Sequence, residues 1–151
     1  MEKKYITLAE ILTKDDATLT AIKNSEFESV KIGCIPFSAI NHDEYKVAKK
    51  SCITYTKVKG GRMTPEMDDD KLQLLVIIAA VEKDKRSDFT FASKKLFDKL
   101  KAAGMEVNTA EGAVKALLSP GEIANFAIDV QETSGFGPQA VAEDAEEIKN
   151  S

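Results

Sequence analysis

The stretch from Leu117 to Gly137, LLSPGEIANFAIDVQETSGFG, constrains the fold more than any other part of the chain. Ser119 precedes Pro120, and Glu122 lies three positions after the serine. That is a capping box, with proline at the first helical position where its missing N–H costs nothing. Ile123, Phe126, Ala127 and Val130 then recur at i, i+3, i+4 and i+7, one apolar stripe on a helix. Gly135 supplies a left-handed residue to end it, and Phe136 is placed to fold back on Val130. Start, face and stop agree, and the spacing predicts a helix over 120–134. These residues, Gly121 included, form a structural signature with no role in catalysis.

A leucine pair, Pro-Gly-Glu-Ile, an amphipathic helix and Ser-Gly-Phe-Gly together resemble the C-terminal core of XkdN-like phage tail assembly chaperones. The rest of the chain fits more loosely. It offers a Leu-x-x-Ile-Leu helix near the start, a short strand, a helix containing Glu-Tyr, a Gly-rich loop, and an apolar helix after Asp68–Asp70. The resemblance covers most of the chain, and only Leu117–Gly137 carries it specifically.

At 151 residues the chain is one ordinary domain, able to bury roughly 68–70% of its unfolded surface. Its 43% hydrophobic and 30% charged content suits a soluble globular protein. A net charge of −4 offers DNA or anionic lipid no overall attraction. The N-terminus, MEKKYITLAEIL, lacks the apolar run of a signal peptide. The longest apolar run, Leu74–Val81, is far short of the ~20 residues that span a bilayer. Cys34 and Cys52 lack metal-type spacing and read as buried free thiols in a reducing compartment.

Thr7 and Glu10 suggest a second capping box, opening a short helix with Leu8, Ile11 and Leu12 on one side. Asp15 and Asp16 start another turn carrying Leu19 and Ile22. Such short helices are marginal without a surface to bury against, so this region either docks on the core or swings free. Residues 27–34 alternate, with Val30, Ile32 and Cys34 on one side, and read as a strand broken by Gly33 and Pro36. Its partner is either Ile53–Val58 or an edge on another subunit. Asn41 caps a helix over 42–52, with Asp43 and Glu44 in its first turn. Residues 56–67, with Gly60, Gly61 and Pro65, read as an exposed loop. A helix over 68–82, apolar nearly all round, belongs at the centre. Phe89, Ala92, Leu96, Phe97 and Leu100 predict a helix within 87–103, stopped by Gly104. Thr109 caps a short helix that leads into the signature.

The expected fold is therefore mainly α with a small β element (α+β). It is a compact orthogonal bundle of about five helices with one or two short strands. Residues 1–25 hold the short N-terminal helices and 26–137 the globular core. Residues 138–151 form a disordered acidic tail or linker, in which Glu143, Asp144, Glu146 and Glu147 stand against Lys149.

Nothing in the residues assembles an active site. His42 is the one histidine, and its neighbours Asp43 and Glu44 point different ways on a helix. Asp68–Asp70 lack the glycine and distal glutamate of a calcium loop, and Gly60-Gly61-Arg62 is no phosphate loop. Cofactors and metals are not expected. Lys46, Lys49, Lys50, Lys57, Lys59 and Arg62 form a basic segment without an acid, a candidate surface for an acidic protein partner or for the chain's own tail. A solvated helix face and loop is the ordinary reading. Nucleic acid and membrane are not expected as partners.

The resemblance implies a non-enzymatic assembly chaperone in the host bacterial cytoplasm. It would bind the tape measure protein while the tail tube assembles and be absent from the finished particle, with self-association around that partner. The alternative is a structural tail or adaptor protein retained in the virion; a small enzyme is the third reading. The resemblance also implies a longer product, made when ribosomes slip back one base near the end of this sequence. A heptamer A-AAA-AAC fits Lys149-Asn150 if Ile148 is encoded by ATA. Such a fusion point would fall in the solvated linker, roughly a dozen residues past Gly137.

Overall fold

The computed structural model describes residues 4–136. Among these residues, seven helices and four strands follow in the order α1 (Leu8–Leu12), α2 (Asp16–Leu19), β1 (Asn24–Ser29), β2 (Gly33–Ser38), α3 (His42–Ser51), β3 (Ile53–Lys57), β4 (Met63–Met67), α4 (Asp69–Lys83), α5 (Lys94–Ala102), α6 (Ala110–Leu117) and α7 (Pro120–Thr133). The strands form two separate antiparallel hairpins, β1–β2 and β3–β4. This corrects the expectation of a mainly α bundle of about five helices with one or two strands. The β share is larger, and it comes as paired ribbons.

The first correction concerns residues 27–34. They do not run as one strand. Phe27 pairs with Ile35 and Ser29 with Gly33, and the chain reverses between them. Val30, expected on one side of a strand with Ile32 and Cys34, sits in the turn and is 98% exposed. Gly33 has φ +92°, which suits it to the residue leaving the turn. Pro36 does not break the ribbon but lies inside β2 opposite Glu26; a two-stranded ribbon has outward-facing edges where a missing N–H is harmless. The strand's partner is thus its own continuation, neither Ile53–Val58 nor another subunit. The same alternation buries Ile35 and Phe37 and turns Cys34 outward, so of the two cysteines only Cys52 is buried.

The second correction concerns 56–67. Met63–Met67 pairs with Ile53–Lys57, with Tyr55 opposite Pro65. Gly60 (φ +101°) and Gly61 (φ +80°) make the reversal. The third concerns 87–103, where the helix begins only at Lys94. Upstream, the Phe89 N–H donates to Ser87 Oγ and the Ala92 N–H to Thr90 Oγ1, each at 3.1 Å. Such side chains offer the backbone an alternative to the helical ladder. The resulting extended turn sends Phe91 into the core at 0% exposure, edge-on to Phe89.

The central helix is α4. Asp68 accepts from the Lys71 N–H to cap it. Leu74, Val76, Ile77, Ala80 and Val81 are buried, and α4 packs against α3, α6, α7 and β2. Across it lies α7, whose Phe126 stacks on Phe27 with centroids 4.5 Å apart and meets Phe37 at 5.2 Å. Helix α5 packs on α6 at the far side.

Two elements stand away from this core. Every residue from Lys4 to Asn24 is exposed except half-buried Glu10. Thr7 and Asp15 cap α1 and α2, yet neither helix buries a residue. Every residue from Thr54 to Glu66 is also exposed, so the β3–β4 hairpin projects with both faces in solvent.

Candidate functional site

The signature around α7 works as a clasp at both ends of the helix. At the N-terminus the capping box is complete: the Glu122 N–H donates to Ser119 Oγ at 3.2 Å, and the Ser119 N–H to Glu122 Oε1 at 3.1 Å. The second carboxylate oxygen of Glu122 accepts from the Val30 N–H at 3.0 Å. One side chain therefore caps its own helix and holds the turn of the β1–β2 hairpin. The Ser119 and Val30 amides keep the Glu122 carboxyl below its ordinary pKa. Lys31 adds a bond to the Ala116 carbonyl at 3.3 Å. Gly121 is exposed, with open space where a Cβ would stand, so packing does not require glycine there.

At the other end, Ser134 Oγ accepts from the Ile40 N–H at 2.9 Å, tying α7 to the segment that leaves β2. Gly135 has φ +88°, and the Phe136 N–H donates to the Gln131 carbonyl, a left-handed stop. The Phe136 ring stacks on Tyr45 of α3, centroids 5.2 Å apart and planes at 23°. The sequence identified this stop, but neither the Tyr45 stack nor the Ser134 bond. Gly135→Val places a β-branched residue at positive φ and is expected to cost roughly 1–2 kcal/mol or more. Phe136→Ala, at a half-buried ring, is expected to cost about 1–2 kcal/mol. Thermal melts of the two variants check this; parental melting would refute the clasp.

The basic segment divides in two. Lys46, Lys49 and Lys50 line one shallow depression on α3 with His42, Tyr45 and Ile53. Lys57 ends β3, while Lys59 and Arg62 lie in the hairpin turn, outside that depression. His42 is exposed in the first turn of α3. Among the described residues, no group of three or more His, Cys, Asp or Glu is arranged to hold a metal ion. Burial pushes the Cys52 thiol above its ordinary pKa.

The arrangement thus provides surfaces and a clasp. The sequence model of the phage XkdN-like tail assembly chaperone proteins matches residues 8–149. The chain belongs to this family. Neither a curated protein nor a solved structure matches it. For a tail assembly chaperone, a non-catalytic role in phage tail assembly accounts for a molecule whose most specific residues are packing and capping residues. No helix among the described residues of the chaperone is long and apolar enough to cross a membrane.

Proposed function

We propose that this tail assembly chaperone associates with the tape measure protein in the host cytoplasm while the tail tube forms, and is absent from the mature particle. The family match over residues 8–149 carries this reading. Two projecting elements support it. The N-terminal arm presents Tyr5, Leu8 and Leu12 at 77%, 74% and 74% exposure. The β3–β4 hairpin presents Tyr55 and Met63. Exposed apolar side chains gathered on an element away from the core are suited to contacts with other molecules.

Self-association is part of the same reading. The strand pairing of 24–38 removes one reason for it, since that strand already has a partner. The unburied α1 and α2 remain, because such short helices gain stability only against a surface. A frameshifted longer product belongs here as well; a gene lacking a re-pairable heptamer over Ile148–Asn150 would eliminate it.

The test is affinity capture of the tape measure protein by the tagged chain from cells assembling tails, together with mass spectrometry of purified particles. Capture with no chain in particles is the expected result. A stoichiometric amount in the particle would establish the structural-protein alternative instead.

A further inference from the structure

We propose that the depression on α3 holds the chain's own acidic segment, residues 138–151, within the same molecule. This does not rest on the tape measure reading. Phe136 stacks on Tyr45, and Tyr45 is itself part of the wall of the depression. The clasp that ends α7 therefore sets Phe136, the residue from which the chain continues, against α3. The depression offers an apolar floor from Tyr45 and Ile53, ringed by Lys46, Lys49 and Lys50. None of these three lysines forms an ion pair with a described residue. The segment that follows Gly137 carries Glu143, Asp144, Glu146 and Glu147 against Lys149, with Val141 and Ile148 for the floor.

Reach and energetics agree. From Phe136 to Glu143 the chain extends at most ~25 Å, whereas α3, with ten residues, is about 15 Å long. Every lysine on α3 lies within range with slack to spare. An exposed ion pair alone contributes little. A short tether, however, supplies an effective concentration on the order of millimolar, so weak pairs acting together suffice. The attraction is one between surface charges and weakens with salt.

The experiment compares backbone amide shifts of the full-length chain with those of full-length E143Q/D144N/E146Q/E147Q. Differences are expected to concentrate at residues 42–53. They should shrink as NaCl rises from about 50 to about 500 mM and stay constant on dilution. Full-length K46E/K49E/K50E, altered only at exposed positions, should move the amides of 138–151 toward their positions in the neutralised variant. Identical α3 shifts in the first two proteins would overturn the proposal. So would differences that persist at high salt. Differences that fade on dilution would also overturn it, since the segment would then be docking on a second copy.

Discussion

Phe126→Ala is expected to destabilise the domain by about 3–5 kcal/mol. The side chain is fully buried, stacked on Phe27 and packed against Phe37. It is the point where α7 meets both strands of the first hairpin. Removing it leaves a cavity under a ribbon of only two strands, which has little independent stability. A domain with a total stability of roughly 5–15 kcal/mol would lose a large share of it. Urea unfolding measures the loss, with Ile123→Ala as a comparison, because Ile123 is only half-buried on the same helix. The phenylalanine variant should show the larger drop in midpoint. Equal and small losses for the two would mean that α7 does not seat the hairpin.

Much of this was legible because it is local. The Ser119–Glu122 box, the α7 stripe and the Gly135 stop each lie within a few residues and have a definite chemistry. Asn41 likewise announced α3, and the three acids Asp68–Asp70 marked the start of α4, where Asp68 is the cap and not the first helical residue. The hairpins were less legible because strand identity depends on what lies alongside. MTPEM has no alternating β-branched pattern and becomes a strand only by pairing with Ile53–Lys57. Residues 27–34 alternate well, yet their alternation runs through a turn, and the true inward set is Phe27, Ile35 and Phe37. Helical spacing across Phe89–Leu100 was genuine only from Ser93 onward, where the serine caps α5.

The basic segment shows a further limit. Six cations without an acid look continuous in sequence, but Cys52 ends α3 and the chain turns out into the hairpin. Only Lys46, Lys49 and Lys50 share a depression. The Tyr45–Phe136 stack spans 91 positions, too distant for a local rule to find. What singles out Tyr45 is that an aromatic on α3 completes a helix stop whose own phenylalanine needs a neighbour.

The most consequential residue that the sequence did not reveal is Asp84. It sits at the C-terminal end of α4, where the helix dipole disfavours an acid, and only 5% of it is exposed. Arg86 resolves the conflict. Its Nε lies 3.1 and 3.0 Å from the two Asp84 oxygens, and its Nη2 is 2.8 Å from Oδ2. Ser38 Oγ donates to the same carboxylate at 3.1 Å. The guanidinium also reaches the Ser25 carbonyl, the Phe37 carbonyl and Glu26. One fork therefore joins the end of α4 to both strands of the first hairpin. Asp84→Asn keeps the shape and removes the charge, leaving Arg86 without its counterion. Fully buried pairs broken this way lose roughly 3–5 kcal/mol. The Arg86 side chain is 41% exposed, and solvent screens part of the effect, so about 2–3 kcal/mol is expected at pH 7. Arg86→Lys, which lacks the fork, should fall between the variant and the parent. The pH dependence gives an independent check. Hydrogen bonding from Arg86 outweighs burial and holds the Asp84 carboxyl below its ordinary pKa. Its contribution is therefore fully present above the usual carboxylate range and is lost as pH falls through the lowered folded value. The stability gap between parent and Asp84→Asn should be widest near neutrality and close in acid. A gap that stays constant down to acid pH would mean that the ionised Asp84–Arg86 pair does not fasten the hairpin to α4.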